Sequence, residues 1–119
     1  MRVLICDDEP SIRMLFRTAA EQCGAEVVEA VDGDDCLVKA WMSRPDFVIL
    51  DVVMPHRDGW STLPALHAMF PGTTVILTSA LDSVDLVEQG RAWGASECVD
   101  KLKLLPLLPT LLADAAVAA

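Results

Sequence analysis

Residues 47–51 read Phe-Val-Ile-Leu-Asp, an uninterrupted apolar run of strand length that ends in a carboxylate. Two other short runs, at 3–6 and at 75–77 within the predicted strand 74–78, are apolar in the same continuous way. A strand with one wet face alternates apolar and polar residues, whereas a parallel strand covered on both faces does not. These runs therefore predict the central strands of a parallel sheet.

Longer amphipathic segments separate the apolar runs, so that strands and helices alternate along the chain. Predicted strands at 3–6, 26–30, 47–50, 74–78 and 98–100 are interleaved with predicted helices at 10–22, 34–42, 60–69 and 83–93, and a last helix begins near Leu105. This alternation predicts an α/β doubly wound sheet with right-handed crossovers. Ligands of such sheets bind at the carboxyl ends of the strands.

Length and composition exclude several classes of protein. The 119 residues predict a single domain over 1–119, and a net charge of −9 argues against direct nucleic-acid binding. A hydrophobic content of 53% excludes an acidic disordered tail, and no signal peptide or apolar run of about 18 residues predicts membrane insertion. The four cysteines form no CxxC pair, which indicates reduced thiols in a cytoplasmic protein.

Charged and hydroxyl side chains follow the predicted strands. Asp7-Asp8 ends the first, Asp51 the third, Thr78-Ser79 the fourth and Asp100-Lys101 the fifth. Like charges about 4 Å apart repel by about 4 kcal/mol at an effective dielectric near 20, so the cluster needs raised pKa values or a cation. Oxygen ligands predict weakly bound Mg²⁺ (or Mn²⁺) beneath an oxyanion. The alternative is that Asp7, Asp8 and Glu9 only solvate a loop and cap a helix.

Five short motifs occur in order along the chain: VLICDDE at 3–9, VILDVVMP at 48–55 with Asp58-Gly59, VILTSA at 75–80, Gly94-Ala95, and Lys101. Together they resemble the receiver domain of two-component response regulators, of the single-domain chemotaxis-regulator type. The resemblance covers essentially the whole chain. It implies a flavodoxin-like (βα)5 fold with strand order 2-1-3-4-5.

The resemblance also implies a role for each site residue. Asp51 would be the phosphoacceptor, taking a phosphoryl group from a histidine kinase or histidine phosphotransfer protein, and self-catalysed phosphorylation and dephosphorylation would be its only chemistry. Asp8 would bind the metal directly, Asp7 nearby or through water, and Val53 through its backbone carbonyl. Lys101 would pair with the phosphoryl oxygens. Ser79 would be the switch hydroxyl, with Thr78 as the alternative if the strand register slips by one residue.

The sequence departs from the family at two positions. Leu102 stands where a proline is usual, so we expect a trans Lys101–Leu102 peptide and a different path into the last helix, made irregular by Pro106 and Pro109. Cys98 stands at the usual aromatic switch position, so either Ser79 acts alone or another residue carries the output.

Several alternatives stay open at this stage. The chain is interpreted as a stand-alone switch acting on an output protein, but it also fits the receiver piece of a longer DNA-binding regulator or hybrid kinase, or a pseudo-receiver that takes no phosphate. A homodimer through the face of the predicted helix at 83–93 and the last helix is possible. Trp41, Trp60 and Trp93 are expected to be partial core anchors.

Overall fold

A computed structural model describes residues 1–79, 92 and 94–118. Its strands and helices are β1 (Arg2–Cys6), α1 (Pro10–Gln22), β2 (Glu26–Ala30), α2 (Gly33–Ser43), β3 (Phe47–Asp51), α3 (Gly59–Met69), β4 (Thr74–Ser79), β5 (Glu97–Asp100) and α4 (Lys101–Ala118). The predicted helix at 83–93, and with it Trp93 and half of the predicted homodimer face, lies outside the described residues. None of the helices described is long and apolar enough to cross a membrane.

The five strands form one parallel sheet in the order β2-β1-β3-β4-β5, which confirms the predicted fold class. All five residues of β3 are buried, as its continuous apolar run predicts. Alternate residues of each strand point to opposite faces, so the sheet has two cores. One core lies against α2 and α3, and the other lies against α1 and α4.

Two helix starts are fixed by aspartates that the sequence places just before them. The Asp32 carboxylate accepts a hydrogen bond from the Asp35 N–H at 2.7 Å, and the Asp58 carboxylate accepts one from the Ser61 N–H at 2.8 Å. Each satisfies an N–H group that has no partner within the helix. The second cap holds the loop between Asp51 and α3.

The last helix begins at Lys101 and not near Leu105 as predicted. The Leu102 N–H donates to the Asp100 carboxylate at 2.8 Å, so Asp100 caps a helix that begins at the next residue. The described chain has no cis peptide bond, so the Lys101–Leu102 peptide is trans as expected. Pro106 and Pro109 lie inside the helix, where both are exposed.

The prediction that Trp41 anchors the core is wrong. Trp41 is 63% exposed, because α2 turns the small side chains of Cys36 and Ala40 toward the sheet. Trp60 is partly buried against the α2–α3 core, as predicted. In α4, the leucines at 104, 108 and 112 are buried at helical spacing, so most of the apolar run there covers the sheet.

Candidate functional site

The register of the strands brings the predicted site residues to one edge of the sheet. Cys6 pairs with Leu50, so Asp7 follows β1 level with Asp51 at the end of β3. Asp51 is in turn the register partner of Thr78 in β4, and Ser79 is the partner of Asp100 in β5. Lys101 follows Asp100 as the first residue of α4. This edge is where parallel α/β sheets bind their ligands.

Lys101 bridges two buried carboxylates. Its Nζ lies 2.9 Å from Asp51 Oδ2, to which it donates a hydrogen bond, and 2.9 Å from Asp7 Oδ2. The side chains of Lys101, Asp7 and Asp51 are 12%, 2% and 4% exposed. Burial lowers the pKa of Lys101, but contacts with both carboxylates outweigh burial and raise it above its ordinary value. Lys101 therefore stays a cation at neutral pH.

Asp51 is an acid whose surroundings pull its pKa in both directions. Burial raises the pKa most, the Lys101 hydrogen bond lowers it, and the charge of Asp7 raises it again, which together bring it from 3.8 to about 6. The Val53 N–H also donates to Asp51 Oδ1 at 3.4 Å. At neutral pH most of the Asp51 population is thus an ionised carboxylate held against an ammonium.

Three carboxylates meet at the site. One oxygen from each of Asp7, Asp8 and Asp51 lies within 4.8 Å of the others, with Asp7 and Asp51 buried and Asp8 exposed. The Glu9 N–H donates to Asp7 Oδ1 at 2.9 Å and so turns Oδ2 inward. That Oδ2 contacts Lys101 Nζ as an ion pair, but no described residue donates a well-directed hydrogen bond to it. Three carboxylate oxygens this close together, two of them on buried residues, fit a hard cation such as Mg²⁺, whose ligands are oxygens.

The two hydroxyls at the end of β4 differ in their surroundings. Thr78 Oγ1 donates to the Leu50 carbonyl at 3.4 Å, so this hydroxyl bonds to the backbone of β3. Ser79 is 6% exposed and ends the strand one residue nearer the loop. The register also places Ser79 beside Asp100, directly before Lys101. Ser79 therefore stays the better candidate for the switch hydroxyl.

The remaining predicted site residues lie apart from the carboxylates or face outward. Val53 follows β3 and is 70% exposed. Its backbone N–H faces Asp51, whereas its side chain faces outward. Cys98 is the register partner of Leu77 and packs against the α2–α3 core. It is therefore a small residue in the sheet rather than a member of the acidic cluster.

Two positioning residues were not predicted from the sequence. Arg13, in the first turn of α1, donates from Nη1 to the Asp7 carbonyl at 2.7 Å and from Nε to Glu29 at 3.0 Å. Asp100 fixes the start of α4 and hence the position of Lys101. A basic residue shortly after Asp7-Asp8-Glu9, and an aspartate directly before the lysine, were the signals available.

The fold and the motifs agree with known proteins. A family model for the response regulator receiver domain matches residues 3–109. Protein PilG of Pseudomonas aeruginosa is 30% identical over 103 residues, which are 85% of this chain and 76% of PilG. Transcriptional regulatory protein PrrA of Mycobacterium tuberculosis is 38% identical over 100 residues, which are 84% of this chain but only 43% of PrrA.

A solved structure is similar over nearly the whole chain. The receiver domain of the Francisella response regulator 1452 superposes with a TM-score of 0.88 at 29% identity, covering 96% of this chain and 94% of that one. The matched residues include Asp7, Asp51 and Lys101. This chain therefore belongs to the receiver domains of two-component response regulators.

Proposed function

We propose that this receiver domain takes a phosphoryl group on Asp51, from a histidine kinase or a histidine phosphotransfer protein, and passes the signal on by contact with an output protein. The observation that carries the proposal is the position of Lys101 Nζ, 2.9 Å from carboxylate oxygens of both Asp51 and Asp7. A buried cation against a buried nucleophile is what transfer between two anions requires.

The transfer is a displacement at phosphorus. An oxygen of the Asp51 carboxylate attacks, an O–P bond forms, the P–N bond of the phosphohistidine breaks, and the bonding electrons leave with the imidazole nitrogen, which takes up a proton. Because both reactants are anionic, the chain contributes mainly position and charge. Lys101 stabilises the negative charge that builds up on the phosphoryl oxygens. Burial of Asp51 strengthens this attraction, since few waters compete for the ammonium.

Asp7, Asp8, Asp51 and the backbone carbonyl of Val53 would hold a Mg²⁺ or Mn²⁺ ion. The support is the close approach of the three carboxylates, two of which are buried and point at the Lys101 ammonium. When bound, the ion supplies positive charge to the phosphoryl oxygens. The Glu9 N–H holds the Asp7 side chain in place, and the Arg13 guanidinium holds the Asp7 carbonyl.

Ser79 is the proposed switch residue. An acyl phosphate on Asp51 adds about −1.5 to −2 charges, by analogy with other phosphorylated side chains, and these attract a nearby hydroxyl. Cys98 packs against the α2–α3 core and offers no ring that could change position, so in this proposal Ser79 responds without the aromatic residue that is usual at position 98. We place this switch in the cytoplasm as a single domain over 1–119, with neither nucleic acid nor membrane as its direct target.

Labelling with a small phosphodonor such as acetyl phosphate in Mg²⁺ buffer tests the proposal. Wild type should gain one acid-stable, hydroxylamine-labile phosphoryl group, Asp51→Asn should gain none, and Lys101→Met should be labelled far more slowly. Asp34→Asn, an exposed carboxylate on α2, is the matched control and should label like wild type. Wild-type labelling of Asp51→Asn would exclude Asp51 as the acceptor. An unlabelled wild type, for both acetyl phosphate and a phosphorylated histidine donor, would indicate a pseudo-receiver.

A further inference from the structure

The outer face of α2 carries large apolar side chains that the fold does not use. Val38, Trp41 and Met42 are 56%, 63% and 74% exposed. Residues three and four apart are neighbours on a helix surface, so the three form one patch. The sheet-facing side of the same helix is already buried through Cys36 and Ala40. Tryptophan and methionine are enriched in protein interfaces, so this contiguous patch is a candidate contact surface.

Charges of opposite sign stand at the two ends of the patch. Asp34 is in the first turn of α2, and its side chain is 67% exposed, with a long contact of 3.7 Å to Arg57. Arg44 is the exposed C-cap and lies 6.0 Å over the Trp41 ring. Between them, Asp35 and Lys39 pair with each other at 3.3 Å. Residues 33–44 thus carry no net charge, and the N-cap Asp32 brings the helix to −1, although the whole chain carries −9.

The outer face of α2 is complementary to the same face of a second copy that runs antiparallel to it. In an antiparallel pair of helices related by a twofold axis, the N-terminal end of one helix meets the C-terminal end of the other. Asp34 of each copy then faces Arg44 of the other, and the two apolar patches meet in the middle. The low net charge of this helix reduces the local repulsion between two chains that each carry −9.

We propose that α2 is a homodimer interface, in which Val38, Trp41 and Met42 of two copies pack antiparallel and Asp34 pairs with Arg44 of the second copy. A helix of 11 residues is about 16 Å long, so the contact is smaller than the roughly 1,600 Å² of a standard interface. We therefore expect a weak, transient dimer. None of these residues belongs to the acidic cluster, so the inference does not depend on the proposed function.

Sedimentation equilibrium from about 10 µM to about 1 mM, in reducing buffer, tests the patch. The reductant is needed because Cys23 is exposed and could link two chains. Wild type should show a monomer–dimer equilibrium, and Met42→Ser should weaken it by roughly tenfold or more. The matched control is Met14→Ser, because Met14 is 64% exposed on α1, across the sheet, and should leave the equilibrium unchanged. Circular dichroism checks that each variant is folded.

A charge exchange tests the antiparallel geometry. Asp34→Arg and Arg44→Asp should each weaken self-association, because each homodimer then has like charges at both ends. An equimolar mixture of the two variants should associate again, since both end contacts of the heterodimer join opposite charges. Aspartate at 44 tolerates the left-handed backbone there, where φ is 50°. A wild type that stays monomeric at 1 mM, or a mixture that associates no better than its components, would overturn the proposal and leave the patch to a different protein.

Discussion

Asp51 should make the stability of the folded chain fall with rising pH, the reverse of an ordinary aspartate. Its pKa is about 6 in the folded chain and 3.8 without the fold's influence, with burial the main cause. Between these values the folded chain keeps a proton that the unfolded chain has released. The contribution of Asp51 to the free energy of unfolding is therefore largest below about pH 4 and falls as the pH rises to about 6. Above that pH the contribution no longer changes.

Urea unfolding of wild type and Asp51→Asn across that window, with EDTA present, measures this effect. The neutral amide does not ionise, so the variant should gain on the order of 1–2 kcal/mol over wild type as pH rises. A difference between the two proteins that does not change with pH would contradict the raised pKa.

The cysteines should differ sharply in reactivity. Cys6 and Cys36 are buried with their sulfurs in contact, whereas Cys23 is exposed. Burial, followed by the contact with Cys36, raises the pKa of Cys6 well above its ordinary value, which keeps the thiol protonated. Iodoacetamide at mildly alkaline pH should therefore modify Cys23 rapidly and leave Cys6 and Cys36 unmodified. Mass spectrometry of native and urea-unfolded samples checks this, and a Cys6 as reactive as Cys23 would contradict it.

At the residue scale, the sequence predicts correctly those side-chain positions that the strand alignment determines. The approach of Asp7, Asp51 and Lys101 follows from the parallel alignment of three strand ends. The Cys6–Cys36 contact and the exposure of Trp41 depend instead on how α2 is rotated about its axis. That rotation is set by which small residues fit against the sheet, and the apolar pattern of α2 does not specify it.

Gly59 at the start of α3 allows the loop after β3 to fold back onto the strand. Its N–H donates to the Val52 carbonyl at 2.8 Å, and a Cβ at this position would overlap the Asp51 carbonyl oxygen. Gly59→Ala should therefore destabilise the chain by about 1–3 kcal/mol and slow the labelling of Asp51. Gly72→Ala is the control, because a Cβ there meets nothing within 4 Å. Unchanged stability of Gly59→Ala in urea unfolding would disprove the close approach.

The two prolines inside α4 are expected to cost stability. Pro106 has no N–H to donate to the Leu102 carbonyl one turn earlier, and it is exposed, so its ring fills no core space. Pro106→Ala should stabilise the chain by about 1–2 kcal/mol, after allowing for the greater freedom that alanine gives the unfolded chain. Thr110→Ala, also exposed in the same helix, should change stability much less. A loss of stability in Pro106→Ala, measured by thermal unfolding, would show that the proline is instead required there.

At the element scale, the sequence predicted the described strands to within a residue at either end and misplaced only the start of α4. The three central strands are short continuous apolar runs, and turn residues or helices separate each strand from the next, so the strand signal is strong. The start of α4 is decided by one side-chain hydrogen bond, from the Leu102 N–H to Asp100. From the sequence alone, Pro106 and Pro109 indicated a later start of the helix, because proline is common in a first turn.

At the scale of the whole molecule, the charge of −9 is unevenly distributed. Among the described residues, Asp7 and Asp51 are the buried carboxylates, and they share Lys101. Many other acidic side chains are exposed, and several form ion pairs at the surface, such as Glu21 with Arg17 and Glu26 with Arg2. Composition alone gave the total charge but not this division, which depends on which carboxylates the sheet brings together.

A divalent cation should therefore stabilise the chain through the site and not through the net charge. For a Kd on the order of 1 mM, about 10 mM MgCl₂ should add roughly 1.4 kcal/mol to the free energy of unfolding, whereas NaCl of equal ionic strength should add much less. Asp51→Asn and Asp8→Asn should each reduce the Mg²⁺ gain, since each removes a carboxylate from the cluster. Asp114→Asn, an exposed acid far along α4, makes the same change in net charge and should keep the full gain. Equal gains in all three variants, measured by urea unfolding, would mean that Mg²⁺ only screens the surface.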